Sequence, residues 1–121
     1  MSLDAAARRR YARQLLLGEI DEAGQARLLE ARFHPAEGAD ADAFAAAADY
    51  LERAGCAVAE DGAPVVVPDE QAVLELAGNP SLRAPAAALI GAFSAVEHLK
   101  EALGMGEAQR FPSGLRLVPE T

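Results

Sequence analysis

Apolar residues recur at spacings of three and four from Ala84 to Gly104, where Leu89, Phe93, Val96, Leu99 and Leu103 fall on one broad helical face. Ala87, Gly91 and Ala95, with Ala84, Ala88 and Ala92 beside them, form a second stripe of very small side chains. Polar residues enter only in the last turns, at Glu97, His98, Lys100 and Glu101, and Gly104 supplies a left-handed stop. A helix that is apolar or small nearly all round is expected to be buried, in the centre of the domain or in an oligomer interface. The rest of the chain then has to cover it.

The remaining pattern is mostly helical. Asp4 to Leu17 reads as a helix with Ala7, Tyr11, Gln14 and Leu15 on one face, ended by Gly18. Asp21 can cap a second helix through about Arg32, with acidic residues early and Arg27 late, and Ala23, Leu28 and Leu29 as its inward contacts. Pro35 and Gly38 break the pattern between Phe33 and Ala39. Asp40 or Asp42 then caps a third helix to Ala54, with Phe44, Ala47, Ala48 and Leu51 inward and Gly55 closing it.

From Cys56 to Val67 two short β-leaning runs flank Asp61-Gly62, a good hairpin signal, with parallel pairing through other strands left open. Pro68, Asp69 and Glu70 make a helix first turn. That helix runs to about Ala77, buries Ala72, Val73 and Leu76, and stops at Gly78-Asn79-Pro80. Leu115 to Val118 alternates as a third short strand. The expected class is α+β: about five helices with a small sheet of about three short strands, in one domain spanning residues 1–121.

Composition changes the picture in two ways. The chain is 51 % hydrophobic but only 5 % aromatic, and much of the apolar content is alanine. Stability must therefore come from close helix packing, and self-association is a natural way to add buried area. The net charge of −8 makes duplex nucleic acid and anionic membrane poor partners. Arg8, Arg9 and Arg10, with Arg13 behind, are a local basic exception that reads as a solvated face. No uninterrupted membrane-length apolar run or signal-peptide pattern is visible, so a cytoplasmic location is expected.

Candidate chemistry is sparse. Cys56 is the only cysteine and reads as a small buried apolar residue. His34 lies near Glu37 and Asp40, and His98 near Glu97 and Glu101, without HxxxH or CxxC spacing. Both histidines read as solvated surface residues, and no metal or other cofactor is expected. Glu97 and Lys100 have the spacing of a helix-surface ion pair.

Two segments resemble the MoeB/ThiF/HesA family of ATP-dependent activators of ubiquitin-like sulfur carriers. RYARQLLLGEIDEAGQARLLEARF, Arg10 to Phe33, is similar to the family's N-terminus through Arg10, Tyr11, Arg13, Gln14, Leu15, Leu16, Leu17, Gly24, Gln25, Leu28 and Leu29. APAAALIGAFSAVEHLKEALGMGE is similar to the family's late helix through Ile90, Gly91, Ala95, Glu97, Lys100, Leu103 and Gly104. Where the family carries a glycine-rich phosphate loop, this chain has His34 to Asp42, with one glycine and three carboxylates. The zinc cysteine pairs and the Asn-x-x-Arg-Gln nucleotide segment have no counterpart.

The resemblance therefore implies a contracted remnant of a ThiF-like, Rossmann-type domain with its ATP and zinc chemistry lost. Its implied role is a non-catalytic, homodimerising interaction module, with Tyr11, Leu15, Ala87, Gly91 and Ala95 at the subunit interface. The alternative it implies is an accessory subunit. This would dock on a ThiF-like enzyme or a ubiquitin-like carrier and donate Arg13 to the phosphates of a neighbouring ATP site.

Overall fold

The computed structural model describes residues 4, 6 and 21–117. Within them the elements run α1 (Glu22–Glu30), β1 (Arg32–Pro35), α2 (Ala41–Ala54), β2 (Ala57–Val58), β3 (Ala63–Val65), α3 (Glu70–Ala77), a 3-10 turn (Pro80–Leu82) and α4 (Arg83–Ala102). This is an α+β fold with a small, open, wholly parallel sheet in the order β2-β1-β3. The expected first helix, with Arg8, Arg9, Arg10, Tyr11, Arg13 and Leu15, lies outside the described residues.

Local signals set the helix boundaries. The side chains of Asp21, Asp40 and Asp69 accept from the backbone N–H of Gly24, Ala43 and Ala72, capping α1, α2 and α3. Gly55 and Gly78 end α2 and α3 with left-handed backbone, φ 115° and 68°. The buried face of α1 is Gly24, Gln25, Ala26 and Leu28, whereas Ala23 and Leu29, expected inside, are exposed. The reason is Gln25, whose fully buried amide donates to the Ala54 carbonyl at 2.6 Å and so turns its own face inward.

The sheet departs from the expected hairpin. β2 and β3 do not pair with each other; each lies parallel to β1, on opposite sides. The central strand is thus Arg32–Pro35, which overlaps the stretch from Phe33 to Ala39 that reads as a break. Proline is tolerated there because of strand phase. Carbonyls of Ala31 and Phe33 accept from Ala57 and Ala59 on the β2 side, while the Ala36 N–H donates to Val65 on the β3 side. The missing N–H of Pro35 therefore faces the β2 side, beyond where that two-residue strand ends.

The Asp61-Gly62 turn does not return the chain antiparallel but carries it from one flank of β1 to the other. Gly62 passes so close that a Cβ there would meet the Phe33 nitrogen, and the Arg32 carbonyl carbon at 2.5 Å. No strand forms among the described residues 115–117, where the Leu117 N–H bonds across to the Leu76 carbonyl at 2.7 Å.

The core joins Leu28, Phe33, Leu51, Val65, Val73 and Ile90 with the alanines of α2 and α4. Phe33 meets Phe44 at a ring separation of 6.2 Å. The long helix, expected to be buried nearly all round, is covered on one side only. Its buried face is Ala86, Ala87, Ile90, Gly91, Ser94, Ala95 and Glu97, and the larger Leu89 and Val96 stay 46 % and 53 % exposed. The cause is α2, whose inner face is itself alanine (Ala43, Ala47), so two small stripes meet and the backbones approach closely.

Candidate functional site

In an open parallel sheet, ligand crevices lie at the carboxyl ends of the strands. Here β1 leads through Ala36 to Asp40 into α2, and β3 leads through Val66 to Asp69 into α3. The two loops are tied together by Ala36 N–H to the Val65 carbonyl, 3.0 Å, and Asp40 N–H to the Pro68 carbonyl, 2.9 Å. Arg83, at the start of α4, reaches into this corner. Its guanidinium lies 2.9 Å from Asp40 Oδ1, 2.5 Å from Asp42 Oδ2 and 3.8 Å from Glu70 Oε1. The hydrogen bond that Arg83 donates to Asp42 is the largest of the effects that raise its pKa, with the charges of Asp40, Asp42 and Glu70 adding to it.

This corner is built for holding helices rather than for binding an anion. The buried Asp40 caps α2 with one carboxylate oxygen and receives Arg83 on the other. Three carboxylates surround one guanidinium, so an incoming phosphate would meet excess negative charge. A cation at a helix N-terminus opposes the macrodipole, and in the sequence that placement of Arg83 is the signal that acidic partners must be near.

A second polar cluster lies at the other end of α4. Glu97, 7 % exposed, is 3.0 Å from Lys100 Nζ and accepts from the backbone N–H of Gln109 at 2.9 Å. Those two bonds, Lys100 first, hold its carboxyl below the usual carboxylate range. Glu101 accepts from the Ala108 N–H at 3.2 Å. Burial lowers the pKa of the neighbouring His98, against the opposing pull of Glu101. The Glu97–Lys100 pair is therefore as the spacing suggests, but Glu97 also fastens the chain beyond the helix. Nothing in the sequence near Gln109 marks that bond in advance, because a backbone donor carries no residue identity.

Beyond Glu97 the chain crosses back over α4. Phe111 meets Phe93 edge-on with ring centroids 5.2 Å apart. Between this segment and α3 lies a cleft of about 420 Å³, lined by Val66, Ala72, Glu75, Leu76, Arg110 and Phe111 among others.

The residues singled out from sequence are scattered. Arg13, Tyr11 and Leu15 lie outside the described residues. Ala87, Gly91 and Ala95, expected at a subunit interface, are buried within the chain, with Gly91 against Ala43, Ala46 and Ala47 of α2. His34 and His98 are half-buried rather than solvated, and Nδ1 of His34 is buried without a hydrogen-bond partner. Cys56 is buried, and burial pushes its thiol up to about 11, so it is protonated at neutral pH. Ser94 donates to the Ile90 carbonyl of its own helix. Among the described residues, no three His, Cys, Asp or Glu side chains are grouped to hold a metal, and no helix is long and apolar enough to cross a membrane.

No family model, curated protein or solved structure matches the chain.

Proposed function

We propose that the protein is a non-catalytic interaction module that pairs with a second copy of itself through the outer face of α4. One observation carries this reading: α4 buries Ala86, Ala87, Ile90, Gly91 and Ala95 and turns Leu89 and Val96 to solvent, with Pro85, Ala88 and Ala92 along the same side. A helix apolar on both faces and covered on one leaves an interaction surface.

Charge favours a second copy as the occupant. The chain carries −8 overall, yet no residue from Ala84 to Val96 is charged, so two copies meeting here bring no like charges together. In an antiparallel pairing Leu89 lies opposite Val96 of the second copy, with Ala92 near the two-fold axis allowing close approach. Descent from a ThiF-like domain belongs to the same proposal. It is supported by the two resembling segments and by the parallel β1–α2–β2 crossover, the unit such a remnant would keep.

The test is solution mass by light-scattering chromatography, with and without ATP and magnesium. The expected result is a dimer indifferent to nucleotide, which Leu89→Glu converts to monomer while Val58→Glu, at another exposed valine, does not. A wild-type monomer, or a Leu89→Glu protein of unchanged mass, overturns the reading.

A further inference from the structure

Asp61-Gly62 is the only Asp-Gly or Asn-Gly pair in the chain. Glycine after aspartate leaves the peptide nitrogen between them open to the aspartate's own carboxyl, because no side chain screens the approach. The fold cannot replace this glycine. A Cβ at position 62 would meet the Phe33 nitrogen and stand 2.7 Å from the Phe33 Cα, so glycine is required where the chain passes β1. Two features keep the pair unreactive while the sheet is intact. The Gly62 N–H, whose nitrogen would have to attack, donates to the Ala59 carbonyl at 2.9 Å across the turn of residues 59–62. The Gly62 backbone also lies against that of Arg32 and Phe33, and the next residue, Ala63, is already in register with Phe33. Asp61 itself is exposed, so water reaches its carboxyl.

We infer that Asp61 is a site of spontaneous backbone isomerisation, closed in the folded chain and opened when the turn between β2 and β3 lets go of β1. In the reaction the Gly62 nitrogen bonds to the Asp61 Cγ. The nitrogen's proton and the carboxyl hydroxyl leave as water, and a five-membered succinimide forms. Water then opens the ring. Attack at Cγ restores aspartate, whereas attack at the main-chain carbonyl yields isoaspartate, with the chain running through the Asp61 side chain and a free carboxylate beside it. One water leaves and one returns, and nothing is oxidised or reduced. The isomerised link is one backbone atom longer. That atom falls inside the ring closed by the Gly62–Ala59 hydrogen bond, next to a residue with no room against β1. The pairing of β3 with β1 begins one residue later, so β3 is displaced, and with it the fully buried Val65. A transient opening of the turn thereby becomes a lasting loss of stability. The turn belongs to the sheet, so this inference does not depend on the pairing of α4.

The test holds the full chain at neutral pH, either folded in buffer or unfolded in guanidinium chloride, and follows isoaspartate at residue 61 by chromatographic peptide mapping. The unfolded chain is expected to accumulate it at least about tenfold faster than the folded one. After dilution from denaturant, the isomerised fraction is expected to show a lowered urea midpoint. Asp61→Glu, whose longer side chain would have to close a six-membered ring, is expected to regain its full midpoint after the same treatment. That control separates this reaction from other ageing of the chain. Equal rates in the folded and unfolded chains overturn the proposal, as does an unfolded chain that forms no isoaspartate at residue 61. A refolded isoaspartate chain with the wild-type midpoint overturns it as well, because the longer link would then fit against β1.

Discussion

Gly91 of α4 lies so near Ala46 of α2 that a Cβ on the glycine would stand 2.5 Å from that of the alanine, and would also collide with the Ala43 carbonyl oxygen. The atoms in the way are backbone of Ala43 and Ala47 and a Cβ fixed directly to the backbone, so none can move aside as a flexible side chain would.

Gly91→Ala therefore tests two opposed effects. Helix propensity alone would make alanine the better residue by about 1 kcal/mol. Overpacking against a rigid neighbour costs about 1–3 kcal/mol, and here it has to win. The expected result is a lowered urea midpoint, while Ala92→Ser on the outer side of the same helix stays within about 0.5 kcal/mol of wild type. A Gly91→Ala protein more stable than wild type would mean that α2 and α4 do not approach this closely.

Asp40 has two separable duties, capping α2 through Ala43 and holding Arg83. Asn caps nearly as well as Asp but carries no charge, whereas Ala does neither. Asp40→Ala should be less stable than Asp40→Asn by about 1 kcal/mol, the value of the cap. The loss in Asp40→Asn relative to wild type should shrink in high salt, because it reflects the ion pair. Equal stability of the two variants in urea melts would remove the capping role.

The pH profile of stability follows from three groups. His98, lowered from 6.5 by burial, lets the unfolded chain take up its proton first, so stability falls as pH drops below about 6.5. Glu97, lowered from 4.5 by Lys100 and the Gln109 N–H, adds a second loss as pH falls through its depressed value. Cys56 acts in the other direction. Its thiol ionises at 9.0 when exposed but at about 11 when folded, so stability declines as pH rises between those values. Urea midpoints from pH 4 to 11 should show a plateau between about 6.5 and 9. Cys56→Ala should lose the alkaline decline and keep the acidic one; an unchanged alkaline limb would clear Cys56 of that role.

How much of this was legible in the sequence differs by scale. Several helix ends were readable because they depend on neighbours within four residues: Asp21 as a cap, Asp40 as one of two candidates with Asp42, and Gly55 as a left-handed stop, whereas Asp69, read as part of the first turn, is the cap itself. The Glu97–Lys100 pair and the buried Cys56 were readable for the same local reason. The sheet was not. Asp61-Gly62 carries the local chemistry of a hairpin, and only the arrival of β1 between the two runs makes it a crossing turn. The Pro35 strand depends likewise on where β2 ends, a fact about another segment.

The chain by itself determined that α4 would be apolar on all sides, since that is a property of its own residues. Which side faces inward was decided only by the tertiary structure. The alanine face of α2 can approach a stripe of glycine and alanine to backbone contact, and larger leucine and phenylalanine side chains would hold it off. Shape complementarity between two segments forty residues apart, rather than the hydrophobicity of either, left Leu89 and Val96 outside.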